Sequence, residues 1–170
     1  MGVDVNRLIE GLKKAIRFEG DGHNFYMMAA GNTGDPKGKE VFEMLAREEL
    51  AHVRFLRSQY NSFLKTGAPD SGAKLPKHTS LQGDHPIFSP GLKDKIKSAH
   101  MEMSALAIGI QLELSSIQFY KGEADAADDP MLKQFFTELA DWEKEHYDAL
   151  LRQQDSLKED YWAAGGFSPF

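Results

Sequence analysis

The stretch IRFEGDGHNFYMMAAGNTGDPKGKEVFEMLAREELAHVRFL, residues 16–56, returns without a gap as IQLELSSIQFYKGEADAADDPMLKQFFTELADWEKEHYDAL, residues 110–150. This correspondence, at a constant shift of 94, decides the fold. Glu19, Tyr26, Pro36, Glu49 and His52 recur as Glu113, Tyr120, Pro130, Glu143 and His146. Ile16, Phe25, Ala30, Asp35, Lys39, Phe42, Leu45, Ala46 and Leu56 also meet identical partners. Chance identity at average amino-acid usage is about one position in sixteen, so the chain contains a duplicated unit.

Around the repeat, four long segments carry helical periodicity: Asp4 to Ala30, Pro36 to Lys65, Leu92 to Ala127 and Pro130 to Lys158. No convincing strand pattern accompanies them. Asp35-Pro36 and Asp129-Pro130 each place an N-cap acid before a proline at the first helical position. Gly31 and Gly34 are expected to help end the first helix, and Gly67 the second. In the second helix Val41, Leu45, Glu49, His52, Leu56 and Phe63 form one inward stripe.

Between the halves, Gly67 to Gly91 contains Pro69, Pro76, Pro86 and Pro90 with Gly72 and Gly83, which forbid a continuous helix. A helix of about 30 residues is about 45 Å long, and an extended connection of this size can span about 80 Å. The segment can therefore run the length of a bundle and join two parallel helices. The short turns at Gly31 to Asp35 and Asp128-Asp129 favour antiparallel hairpins. The expected fold is all-α, a four-helix bundle over residues 1–158 with two hairpins about a pseudo-twofold axis. Residues 159–170 form an aromatic tail with Tyr161, Trp162, Phe167 and Phe170, expected to pack on its own bundle or, alternatively, to contact a subunit or reductase.

The bulk properties exclude several functions. At 170 residues, 41% hydrophobic and 27% charged, the chain suits one globular domain. Its net charge of -6, with Lys and Arg scattered, disfavours nucleic acid or an anionic membrane surface as partner. No cysteine is present, which removes disulfides, thiolate catalysis and four-cysteine metal centres. Neither a leader nor a membrane span is evident, so a cytoplasmic location is the default expectation.

The repeat carries chemistry. Glu49 and His52, like Glu143 and His146, are three apart on a helix and share a face. Glu19 and Glu113 add a carboxylate each from the facing helices, and Tyr26 and Tyr120, seven residues on, can hydrogen-bond a ligating carboxylate. A Glu, Glu-x-x-His, Glu, Glu-x-x-His set is the pattern of di-iron or di-manganese carboxylate sites in four-helix bundles. Four carboxylates balance two divalent ions, whereas burying them without metal leaves strong repulsion.

Other residues rank lower. His23 follows Glu19 by one turn, but its repeat partner is Ile117, which favours a surface or supporting role over ligation. His78, His85 and His100 read as loop or exposed residues, and Glu48, Glu102 and Glu145 as solvent-facing flanks. Met27, Met28, Met44, Met101 and Met103 read as core filling.

Through Glu19 with Tyr26, Glu49-Leu50-Ala51-His52, Glu113 with Tyr120 and Glu143-Lys144-Glu145-His146, the chain resembles the rubrerythrin branch of the ferritin-like superfamily over about residues 5–155. The resemblance implies a non-haem di-iron centre, with iron, manganese or a mixed pair held by Glu19, Glu49, His52, Glu113, Glu143 and His146, and leaves open which carboxylates bridge. It also implies a homodimer. Typical rubrerythrins carry a four-cysteine rubredoxin-like domain, which is absent from this sequence, so electrons would come from a separate carrier. They also carry an extra Glu where this chain has Ser116, leaving a set closer to a bacterioferritin-type ferroxidase centre. The leading expectation is an oxidoreductase that reduces hydrogen peroxide or dioxygen, with Tyr26 and Tyr120 holding carboxylates and supplying a proton. The alternatives are a ferroxidase in iron handling, or a metal-binding scaffold or redox sensor.

Overall fold

Both Asp-Pro pairs start helices in the computed structural model, which describes residues 5–75 and 86–165. The Asp35 carboxylate accepts from the Gly38 amide at 2.8 Å, and that of Asp129 from the Met131 and Leu132 amides at 2.9 and 3.1 Å. The helices are α1 (Val5–Asn32), α2 (Pro36–Thr66), α3 (His100–Ala126) and α4 (Pro130–Ala164), with a 3-10 stretch at Pro90–Ser98. α2 ends where Gly67, at φ 69°, donates to the Phe63 carbonyl at 3.0 Å, a left-handed conformation that a side chain would strain. Gly31 and Gly34 do not take up such a conformation, and α1 continues to Asn32. Among the described residues there is no strand. No described helix is long and apolar enough to cross a membrane.

Two boundaries differ from expectation. The single helix expected from Leu92 breaks at Ala99 (φ -82°, ψ 32°) into the 3-10 stretch and α3. Buried Leu92, Ile96 and Ala99 recur at spacings of three and four, which either helix type accommodates, and no side-chain cap marks the junction. α4 runs to Ala164 rather than Lys158. The Tyr161 hydroxyl lies 2.5 Å from Nδ1 of His100, a contact with the start of α3 that holds the last turns in place. Phe167 and Phe170 lie outside the described residues.

The contacts define the topology. Tyr26 reaches Glu113 while Tyr120 reaches Glu19, so α1 and α3 run antiparallel. His146 meets Glu48 while Phe55 meets Phe135, so α2 and α4 are antiparallel too. With α1 packed along α2 and α3 along α4, the middle helices α2 and α3 run parallel, as the long crossover allows.

The crossover is anchored at both ends of the bundle. Gln59 exchanges hydrogen bonds with the Asp70 backbone (3.0 and 3.1 Å), and Gln153 accepts from the buried amides of Ile87 and Phe88 (2.7 and 3.1 Å). Ser89 is tied to Asp35 through its amide, at 2.9 Å, and its hydroxyl.

Two apolar clusters fill the interior. One gathers Tyr26, Phe42, Leu45, Leu106, Ile110 and Leu150, the other Leu12, Leu56, Tyr120, Phe136 and Leu139. They are images under the 94-residue shift: Tyr26 stacks on Phe42 at 6.2 Å, and Tyr120 on Phe136 at 6.3 Å. Between them, at mid-bundle, lies a buried polar layer.

Candidate metal centre

The periodicity that makes each helix amphipathic puts Glu19, Glu49, His52, Glu113, Glu143 and His146 into that layer, each 0–3% exposed. Two groups of donor atoms form there, Glu19, Glu49, His52 and Glu143 on one side and Glu49, Glu113, Glu143 and His146 on the other. Within each group the atoms lie within 4.8 Å of one another, close enough to hold a metal ion. Glu49 and Glu143 belong to both.

Both imidazoles turn Nδ1 inward. His52 Nδ1 is 2.9 Å from Glu19 and 3.1 Å from Glu143, and His146 Nδ1 is 3.3, 3.6 and 3.7 Å from Glu49, Glu113 and Glu143. The rings lie 6.4 Å apart and nearly parallel, at 18°. Tyr26 donates to Glu113 and Tyr120 to Glu19, each hairpin securing a carboxylate of the other.

The electrostatics are those of acids crowded out of water. Burial, then the charge of Glu143, raises the Glu113 pKa to about 8. Burial and the neighbouring carboxylates likewise push Glu49 well above the usual range. Burial opposes ionisation of Glu143 too, but the two imidazoles beside it, His146 and His52, outweigh burial and hold it well below the usual range. Burial disfavours the charged ring of His52, yet Glu19 and Glu143 hold its pKa well above the ordinary value; Glu113 and Glu143 do the same for His146. Burial, with Glu113 and Glu19 respectively, keeps Tyr26 and Tyr120 protonated.

Glu49 Oε1, Glu143 Oε1 and His146 Nδ1 are buried without a well-aligned hydrogen bond among the described residues. Buried polar atoms are rarely left so, and a cation between them would satisfy all three. The donor set of carboxylate oxygens and imidazole nitrogens fits iron or manganese.

Other residues fall elsewhere. His23 does not join the layer; its Nδ1 lies 2.7 Å from the Ala46 carbonyl oxygen and ties α1 to α2. His100 is exposed, and His78 and His85 lie outside the described residues. Four expectations need correction. Glu48 does not face solvent: only 11% of its side chain is exposed, and it lies 2.8 Å from His146 Nε2. Glu102 is buried and accepts from the Thr33 hydroxyl and the Gly34 amide, so it caps the α1–α2 turn. Met27 and Met28 are about half exposed, at 49% and 53%, instead of filling the core. Glu145 is partly buried rather than solvated.

Glu48 escapes sequence reading because it lies beside the stripe and its repeat partner is Trp142, so the repeat conceals it. Gln59 and Gln153 were legible: they obey the same shift just beyond Leu56, one heptad after His52 and His146.

The family model described as Rubrerythrin matches residues 10–154. No curated protein and no solved structure matches the chain.

Proposed function

The chain belongs to the rubrerythrin family, a ferritin-like di-iron family, and on that premise we propose that it is a redox enzyme reducing hydrogen peroxide or dioxygen at a two-iron centre. The observation that carries the reading is the pair of overlapping donor groups with Glu49 and Glu143 in common. Glu19 and His52 would hold one ion and Glu113 and His146 the other, with Glu49 and Glu143 available to both.

When bound, a pair of ferrous ions would supply two electrons and Lewis-acid polarisation of the O–O bond. The chain does the rest. Tyr26 and Tyr120 fix the orientation of Glu113 and Glu19 through their hydroxyls. The two apolar clusters keep water from the layer, so the carboxylates act in a low dielectric. Reduction of peroxide to two waters consumes two protons and two electrons. Carboxyls that bind metal give up their protons, so the proton donors the chain keeps beside the layer are Tyr26 and Tyr120, whose hydroxyls donate to Glu113 and Glu19. These 170 residues contain no cysteine and so form no four-cysteine iron site, and the electrons reach the layer from a donor outside them.

One observation favours a ferroxidase as the second reading. Ser116 stands where rubrerythrins carry another Glu, and the layer holds four Glu and two His. Anaerobic loading with ferrous iron decides. Two ions per chain, followed by catalytic loss of peroxide with a supplied reductant, is the expected result. Loading well above two indicates iron storage. Two ions with no turnover indicate a scaffold or sensor, and clearly fewer than two overturn the di-iron reading.

A further inference from the structure

The two histidines are placed alike but supported differently. His146 Nε2 lies 2.8 Å from the Glu48 carboxylate, inside the bundle where little water reaches. The residue that the 94-residue shift puts in the same place beside His52 is Trp142, whose ring centroid is 5.0 Å from the imidazole. His52 Nε2 is buried and has no hydrogen-bond partner among the described residues.

This difference acts on a cation. An imidazole that gives its Nδ1 lone pair to a metal must carry its ring proton on Nε2. At His146 that proton meets a carboxylate, which fixes the ring and makes it the stronger donor. At His52 it finds no hydrogen-bond acceptor among the described residues, with the tilted ring of Trp142 alongside. Glu48 also brings a further negative charge to its side of the layer, and Trp142 brings none.

We infer that Glu48 makes the two metal positions unequal, so that a divalent cation fills the position of Glu113 and His146 first and the position of Glu19 and His52 second. The inference rests on the two-metal reading above. Glu48 is a positioning residue: it acts through His146 and is outside both donor groups.

Anaerobic titration of the metal-free full chain with cobalt(II), followed by visible absorption and calorimetry, tests it without recourse to activity. Two binding steps of different affinity are expected. Glu48→Leu should weaken the tight step by roughly 10- to 100-fold, the usual effect of losing such a partner, and move the second step much less. Glu48→Gln, which keeps an acceptor oxygen, should recover part of the loss. His146→Ala should abolish the tight step, whereas His52→Ala should spare it.

Two cobalt ions binding with equal affinity would overturn the inference and leave the two-metal reading intact. So would Glu48→Leu weakening both steps alike at unchanged helix content, or Glu48→Gln recovering nothing. Binding of fewer than two ions by the native chain would overturn the underlying reading itself.

Discussion

The α1–α2 and α3–α4 hairpins agree where they face each other and disagree at the edge of the polar layer. Tyr26 and Tyr120, and Phe42 and Phe136, make equivalent contacts on the two sides. Each tyrosine secures the other hairpin's carboxylate, so a change in one half would strand a buried acid in the other. Such positions resist divergence. Gly22 against Ser116, His23 against Ile117 and Glu48 against Trp142 lie one step further out, where each half touches mainly itself or one ring. Duplication supplied the ligands, and local divergence makes the halves unequal.

The largest expected effect breaks both halves together. Glu49, Glu113, His52 and His146 all have folded pKa values above their ordinary ones, so the folded metal-free chain holds protons that the unfolded chain releases. Their contribution is complete below about pH 4.5 for the acids and 6.5 for the imidazoles, and is lost as pH rises through the folded values. Glu143, shifted downward, works the other way and costs stability only as pH falls below about 4.5. At about 1.4 kcal/mol per pKa unit, the metal-free chain should lose a few kcal/mol between pH 6 and 9. Metal reverses the trend, because cations and protons compete for the same atoms. Thermal unfolding with and without chelator checks this, and a chelated chain equally stable at both pH values would contradict the crowded-acid picture.

The two crossover clamps separate next. Gln153→Leu strands two buried amides, Ile87 and Phe88, at about 1–3 kcal/mol each. Gln59→Leu frees an Asp70 backbone that is partly exposed and can turn to water, so its loss should be smaller, about 1 kcal/mol. Urea unfolding of both variants measures the difference, and equal losses would make the clamps equivalent.

The smallest effect concerns space. A Cβ on Gly22 would sit 3.2 Å from a Glu49 carboxylate oxygen. Gly22→Ala should weaken metal binding about fivefold, equivalent to about 1 kcal/mol of overpacking. Ser116→Ala, at the repeat-related position, removes only a hydroxyl and should leave affinity within about twofold. Parallel metal titrations test the pair.

Much of this was readable from the chain. Asp35-Pro36, Asp129-Pro130 and Gly67 mark helix ends because caps are local chemistry, satisfied by residues a few positions away. The split before His100 was not readable, since Leu92, Ile96 and Ala99 suit two helix types and packing chooses between them. The last turns of α4 pack through Tyr161 and Ala164 on the apolar cluster and meet His100, sixty-one residues from Tyr161, contacts that no local pattern announces. Met27 and Met28 follow an apolar pattern, yet the described chain leaves about half of each exposed.

The sequence by itself determined the duplication, the four helices, and the six acids and imidazoles on inward stripes, because spacing of three, four and seven sets the face of one helix. Only the tertiary structure decided that Glu49 and Glu143 are common to both donor groups and that Glu48 supports His146. Those facts depend on the rotation and depth at which one helix meets another, which are set by the packing of Phe42, Leu45, Phe136 and Leu139 and not by periodicity along any single helix.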